Sequence, residues 1–379
     1  MGERVIGSGK RAPRIAAVYA SDEPAMSRFL YALHQLEPVT GISFERANEF
    51  LQIALGIYPR DPMRPARMWV PSRRPRYWPG LHGPWARRLT REAPLVLLTR
   101  PDQAALLPFV ADRRIAYHAV DDYRHYRCFR FEDEQSVVAA SSIIFACSTA
   151  LAERLRRDFD LPPERVVVLP NAIQSCHLPA ACPSRPAGVP GGLGTGRPLI
   201  GMIGTVDNRT RYDWLRHCVE TLPWAHWLWV GRIEQQALSV EQRDTLAWLR
   251  AHPRCTFTGW RDFDDLPGFA AALDAALVPY QGIGTVPCAS PMRSFVQMPF
   301  GAPILATPDC PAMREMAPDV RICTTPDALA GALAELRACD FDDGRREHRW
   351  RRGCAATFEA RAAEALQVLR PLLDEGATP

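Results

Sequence analysis

Cys288-Ala-Ser-Pro-Met-Arg-Ser-Phe-Val-Gln-Met-Pro-Phe-Gly-Ala-Pro-Ile-Leu-Ala-Thr307 decides the fold, because it reads as a loop, a helix and a buried strand in quick succession. The apolar run Ala275–Val278 just upstream reads as the preceding strand. Ser290 suits the helix N-cap and Pro291 the first helical position, while Gly301 and Pro303 end the helix. A helix entered from a parallel strand brings its free N–H groups and positive dipole to the carboxyl edge of the sheet, where phosphate binds. Arg293, one turn into that helix, adds a bidentate cation suited to a diphosphate.

The same alternation extends outward from this segment. Strands are expected at Leu199–Ile203, Trp227–Val230, Cys255–Thr258 and Pro303–Ala306, with helices at Tyr212–Thr221 and Leu266–Ala272. An earlier series has strands at Arg14–Tyr19, Leu95–Thr99, Ile115–Val120, Ile143–Cys147 and Val166–Leu169, with a helical pattern running to Leu36. Strands that alternate with helices imply mostly parallel sheets, so the fold class is α/β with two Rossmann-like domains. The boundaries are residues 1–176, a Pro/Gly/Ala-rich linker at 177–197, a second domain at 198–345, and a helix in 346–379. The helical stretch Glu347–Leu373 is long enough to run back to the first domain. Open α/β sheets bind ligands at their carboxyl edges, so the site is expected in a crevice shared by the two halves. The proline-rich stretches Pro59–Pro84 and Pro179–Pro198 are expected to be irregular.

Bulk properties narrow the function. A chain of 379 residues with 47% hydrophobic and 23% charged residues exceeds one core and excludes extensive disorder. The net charge of +4 decides little, since the basic residues are nearly all arginine and unevenly spread; nucleic acid is the least favoured partner. The 11 cysteines form no C-x-x-C pair and no zinc spacing, which fits reduced thiols in the cytoplasm, and no apolar run is long enough to span a bilayer. Residues 60–91 interleave Arg64, Arg67, Arg73, Arg74, Arg76, Arg87 and Arg88 with Trp69, Trp78 and Trp85, a composition suited equally to a solvated loop and to peripheral contact with an anionic membrane.

Several segments together resemble a known family. Ser290-Pro-Met-Arg-Ser-Phe-Val-Gln-Met-Pro-Phe-Gly-Ala-Pro303 resembles the signature S-P-[LM]-[KR]-x-x-E-Y-x-x-x-G-x-P, and Leu199-Ile-Gly-Met-Ile-Gly-Thr-Val-Asp207 resembles P-x-I-G-x-I-G-T-[IV]-D. Trp229-Val-Gly-Arg232, Phe257-Thr-Gly-Trp260, Ile115-Ala-Tyr-His-Ala-Val-Asp-Asp-Tyr123, Ser148 and Leu169-Pro-Asn-Ala172 are similar to further elements of the same enzymes. These are the GT-B glycosyltransferases, in particular the teichuronic-acid-type and xanthan-type glucuronosyltransferases of exopolysaccharide synthesis. The resemblance implies a nucleoside-diphosphate sugar donor, with uridine as the base, and a saccharide or lipid-linked acceptor. It also implies that neither a cofactor nor a metal is needed, and that Asp121 is the general base of an inverting displacement. Arg293 would meet the diphosphate, with Ser290 and Met292 at the same helix start and Gly204 and Thr205 approaching the phosphates.

Around that frame the residues leave alternatives open. Arg209, Arg211 and Arg232 sit in loops able to add positive charge, and Trp260 or Tyr280 could stack on a base or simply pack. Asp122 and His118 could share or replace the role of Asp121, the aspartates could cap a helix, and His118 suits a core position as well. Val296 stands where the family has Glu or Gln, and the adjacent Gln297 is turned from it by about 100° on an ideal helix. A retaining transferase, a nucleotide-sugar epimerase and a non-catalytic nucleotide-binding protein are the alternatives.

Overall fold

The computed structural model describes residues 12–20, 24–46, 66–70, 79–127, 129–184, 186–193 and 196–374. The chain forms two units: one of Met1–Cys147, Leu151–Leu169 and Glu359–Pro379, the other of Ser148–Ala150 and Pro170–Phe358.

The first unit carries strands β1 (Ile15–Ala20), β2 (Val39–Arg46), β3 (Ala66–Val70), β4 (Leu95–Leu98), β5 (Arg114–Ala119), β6 (Ile143–Ala146) and β7 (Val166–Val168). They form one sheet in the order β3-β2-β1-β4-β5-β6-β7, and every neighbouring pair is parallel. Residues Ile15 to Tyr19 of β1 are buried, as strands covered on both faces require. Helices α1 (Pro24–Leu36), α2 (Pro79–Leu89), α3 (Phe131–Ala140) and α4 (Thr149–Phe159) connect them.

Two expectations for this unit need correction. Strand β2 escaped the reading because Thr40, Gly41 and Ser43 interrupt any continuous apolar run. The stretch Pro59–Pro84, expected to be irregular, contains β3 and most of α2. Pro79 opens α2, where its missing N–H costs nothing, and the helix continues through Pro84 in its interior.

The second unit holds β8 (Leu199–Ile203), β9 (His226–Val230), β10 (Cys255–Phe257), β11 (Ala275–Val278), β12 (Ile304–Ala306) and β13 (Val320–Ile322). The sheet order is β10-β9-β8-β11-β12-β13, again parallel throughout. Alternation along β8 divides the core: Ile200 and Met202 join the cluster around Trp214, Trp227 and Trp229, while Leu199 and Ile203 join that around Phe269, Val296 and Met313. The connecting helices are α5 (Tyr212–Thr221), α6 (Val240–Ala251), α7 (Leu266–Ala271), α8 (Met292–Gln297), α9 (Pro311–Arg314), α10 (Pro326–Ala338) and α11 (Arg346–Ala355). The stretch 177–197, expected as a linker, docks on this unit: the Ala187 N–H donates to the Ala271 carbonyl at 2.7 Å, and Arg197 pairs with Asp274 at 3.0 Å.

The C-terminal stretch expected as one helix is two, α11 and α12 (Phe358–Asp374). They part at Ala356 (φ −92°, ψ 64°), beside which Thr357 forms a bridge with Ile173. Buried Arg349 of α11 donates to the Gly301 carbonyl at 3.0 Å and to Asp343 at 2.6 and 2.7 Å, which holds α11 on the second unit. From Glu359 onward the chain belongs to the first unit, where Asp374 accepts from Arg14 at 2.9 Å. Among the described residues no helix is long and apolar enough to cross a membrane.

Candidate active site

In the second unit the loops after β8, β9 and β10 are fastened side by side. The Gly204 N–H donates to the Val230 carbonyl at 2.8 Å, and the Gly231 N–H to the Gly259 carbonyl at 3.0 Å. Gly204 (φ 125°) and Gly231 (φ 151°) occupy backbone space open mainly to glycine, and a Cβ on Gly231 would fall 2.1 Å from the Gly204 oxygen. The loop after β8 is also zipped to the loop after β11. The Arg211 N–H reaches the Pro279 carbonyl at 2.8 Å, the Gln281 N–H reaches the Arg209 carbonyl at 2.8 Å, and Thr210 bridges Tyr280.

Arg293 enters this loop pair from α8. It is 6% exposed; its Nη2 donates to the Thr205 carbonyl at 3.1 Å, its guanidinium packs against Gly204, and it lies 4.5 Å above the centroid of Tyr280. Its Nη1 is buried without a hydrogen-bond partner, and no carboxylate pairs with the guanidinium among the described residues. Burying an arginine without a counter-charge is costly, and a Tyr face recovers only about 2 kcal/mol of that. Buried Arg293 and Tyr280 thus meet the partly exposed Gly204 and Thr205 in one positively charged corner.

The start of α8 differs from the expectation. Pro291, not Ser290, is the N-cap residue, with no side-chain capping bond, and Met292 is the first helical residue. Ser290 Oγ instead accepts from the Asn171 N–H at 3.0 Å, and the Asn171 amide donates to the Ser290 carbonyl at 2.6 Å. The residue before a proline is pushed to extended backbone, which frees Ser290 for this longer-range contact. Helix α8 spans only six residues, so Arg293 carries more of the local positive charge than its dipole does.

The remaining candidates divide by partner. Arg209 is paired with Asp207 through Nε at 3.0 Å and Nη2 at 2.5 Å and reaches Thr285 at 3.3 Å. Arg211 meets Asp309 at 3.2 Å and lies over Trp214. Both are tied to carboxylates in a way their sequence positions alone did not reveal. Arg232 pairs with Glu234 at the surface, and Trp260 is 65% exposed at the end of β10. Tyr280 is buried, which pushes its phenol up from the ordinary range, partly opposed by Arg293 and Arg209. Val296 is core, 2% exposed. Gln297 is 1% exposed, and both its amide oxygen and nitrogen lack a partner. Asn208, Thr210 and Arg211 also line a cavity of about 540 Å³ with Ser239, Gln242 and Gln281. The residues on α6 were not expected there, since nothing local marks them.

In the first unit the loop after β5 separates the three candidates. Asp121 is partly exposed; its Oδ1 accepts from the Asp122 N–H at 2.9 Å and its Oδ2 from the Tyr126 hydroxyl at 2.8 Å. Asp122 is 1% exposed and bonds Arg124 through Nη2 at 2.7 Å and Nε at 2.9 Å. Burial would raise its carboxyl, but Arg124 and Arg154 hold it below the ordinary range, which favours the charged form. His118 lies edge-on to Phe29 and Phe145, and burial pushes it down to about 3. A ring kept neutral among aromatics suits packing, and of the three candidates only Asp121 is partly exposed. Among the described residues no three His, Cys, Asp or Glu side chains gather as metal ligands.

No family model and no curated protein sequence matches the chain. Solved structures do match over nearly its full length. Sucrose-phosphate synthase from Thermosynechococcus elongatus is 15% identical, with a TM-score of 0.69 over 96% of this chain and 100% of that one. A glycosyltransferase from Rickettsia africae is 10% identical, with a TM-score of 0.70 over 96% and 99%. HepE from Anabaena in complex with UDP-glucose is 15% identical, with a TM-score of 0.63 over 96% and 98%. The two parallel sheets and these matches along the chain show that it has the two-domain α/β fold of the GT-B glycosyltransferases.

Proposed function

We propose that the chain is a glycosyltransferase that moves a sugar from a nucleoside diphosphate, with uridine as the favoured base, to an acceptor hydroxyl. The observation that carries this reading is the buried Arg293 guanidinium, packed against the Gly204 backbone, whose Nη1 has no hydrogen-bond partner and which pairs with no carboxylate among the described residues. A diphosphate supplies the missing charge. The UDP-glucose bound by the similarly folded Anabaena protein favours the base and the donor class.

In the first unit, Asp121 takes the proton of the acceptor hydroxyl as that oxygen attacks the anomeric carbon. The new C–O bond forms as the bond to the diphosphate oxygen breaks, and the electron pair leaves with the diphosphate, neutralised by Arg293. Configuration at the anomeric carbon inverts. Arg293 and the backbone amides do what a divalent cation would otherwise do, so the reading requires neither metal nor cofactor.

The acceptor class we favour is a lipid-linked or envelope saccharide, as in exopolysaccharide synthesis, used at the cytoplasmic face of a membrane. Arg87, Arg88, Arg91 and Arg113 line a cavity of about 480 Å³ with Asp112, and Trp85 on the same helix is 51% exposed, a combination that fits anionic headgroups. Arg64, Arg73, Arg74, Arg76 and Trp78, and the side chains of Arg67 and Trp69, lie outside the described residues.

The test is thermal stabilisation by UDP, GDP and ADP, followed by transfer from the matching sugar donor. Wild type is expected to be stabilised most by UDP. Arg293→Met is expected to lose that stabilisation while its nucleotide-free melting temperature holds or rises, because a buried unpaired charge is gone. Retained stabilisation in Arg293→Met would overturn the reading. Epimerised donor without transfer would favour the epimerase alternative.

A further inference from the structure

Beneath the loop that carries Asp121 runs a buried chain of charges that touches no part of the proposed reaction. Asp122, Glu134 and Arg154 are 1%, 0% and 2% exposed. Arg154 of α4 binds Glu134 of α3 through Nη1 at 2.5 Å and Nη2 at 3.1 Å, and the same Nη2 faces Asp122 Oδ1 at 3.5 Å. Arg124 closes the other side of Asp122 and reaches Asp158 at 3.4 Å, while His125 Nε2 stands 3.8 Å from Asp122. Tyr117, from β5, points its hydroxyl at Glu134 Oε1 at 3.5 Å.

Such a chain is an expensive way to gain stability, since packed apolar side chains of the same volume do as well or better. What it supplies is direction. Buried Arg154 and the more exposed Arg124 hold the Asp122 carboxylate between them, and with it fixed the Asp122 backbone N–H donates to Asp121 Oδ1 at 2.9 Å. The 3₁₀ turn at Tyr123–His125 then returns the Tyr126 hydroxyl to Asp121 Oδ2 at 2.8 Å, and Tyr123 pins that turn to the Thr99 carbonyl at 2.7 Å. Each oxygen of Asp121 is therefore held from one end of a single turn whose anchor is Asp122.

We infer that Arg154 and Glu134 are positioning residues for Asp121: through Asp122 they set the direction of its carboxylate toward the acceptor hydroxyl. The inference rests on the transfer reading with Asp121 as base. The test compares wild type, Asp121→Asn, the double variant Glu134→Leu/Arg154→Met, and Arg154→Lys in the full-length protein with UDP-sugar donor and acceptor. The double variant replaces the pair by apolar volume but leaves Asp122 with Arg124 as its close cation, so its melting temperature is expected to fall modestly while the protein stays folded. Its kcat is expected to fall about 10- to 100-fold, the effect of a displacement of about 1 Å, while the donor KM and the stabilisation by UDP stay unchanged. Arg154→Lys keeps the charge but cannot fork to two carboxylates, so it is expected to fall between the two. It reads the same effect should the double variant not fold. Wild-type kcat in either folded variant, with Asp121→Asn inactive, would overturn the positioning role alone. Full transfer by Asp121→Asn would remove the base assignment and the inference with it.

Discussion

The loop after β5 and the corner around Arg293 handle buried charge in opposite ways. In the loop after β5 the buried ions neutralise one another: Asp122 faces Arg124 and Arg154, and Arg154 faces Glu134, although the Arg154 Nε is left without a hydrogen-bond partner. In the second, Arg293 keeps a buried N–H unpaired and the Gln297 amide meets nothing, although an unmet buried polar group costs about 1–3 kcal/mol. A cluster whose charges cancel needs no ligand and keeps one geometry. An open one is unstable until something fills it. On the proposed reading, the first loop orients the reacting group and the second corner binds the donor.

The largest expected effect attacks the closed side. Asp121→Asn keeps the shape of the turn but removes the proton acceptor, so transfer is expected to fall about 10²- to 10⁴-fold, with UDP stabilisation intact. Steady-state rates beside melting curves read both, and loss of UDP binding in this variant would erase the division of labour.

His118 sharpens the comparison from another direction, because it is buried and its Nδ1 unpartnered among aromatics rather than beside a loop of glycines. Its folded value of about 3 lies below the ordinary 6.5, so the folded state binds fewer protons than the unfolded one between those pH values. This contribution to stability is fully present above pH 6.5 and drains away as pH falls toward 3. Wild type is expected to lose about 2 kcal/mol from this residue between pH 7 and 5, and His118→Phe to lack that loss while retaining transfer. Urea unfolding at the two pH values measures it; an unchanged slope would place His118 elsewhere in the energetics.

A smaller effect probes the open side. Gln297→Met fills the same space without unmet hydrogen bonds, so nucleotide-free stability is expected to rise by about 1 kcal/mol, while the donor KM climbs about 3- to 10-fold. A fall in stability would mean that the amide is satisfied without donor, and the open circuit would reduce to Arg293.

The smallest effect concerns the arginines of α2. Arg88→Glu is expected to weaken binding to vesicles containing phosphatidylserine by about 1–2 kcal/mol and to leave soluble-acceptor kinetics unchanged. Equal binding to neutral and anionic vesicles would remove the membrane reading.

How much of this was legible beforehand differs by element. Apolar runs such as Leu95–Leu98 and Ala275–Val278 announce buried parallel strands with no help from context. Strand β2, carrying Thr40, Gly41 and Ser43, becomes a strand only because β1 and β3 pair with it. Arg293 stands out in the sequence as the basic residue two positions past Pro291, whereas Asp121 and Asp122 were indistinguishable. The residues that separate them, Arg154 and Glu134, lie on other helices and carry no motif. Arg211 looked available for a ligand because Asp309, its partner, is 98 positions away. Ser290 looked like a cap for the same reason: Asn171 competes for its hydroxyl from 119 positions upstream.

Periodicity and turn chemistry are local, so the chain alone settled the alternation of strand and helix, the two parallel sheets and the glycine loop that ends β8. Which charges would be neutralised and which left waiting depends on side chains that meet only after the sheets assemble. Tertiary structure alone turned Asp122 inward and Asp121 outward, and left Arg293 buried with an empty hand.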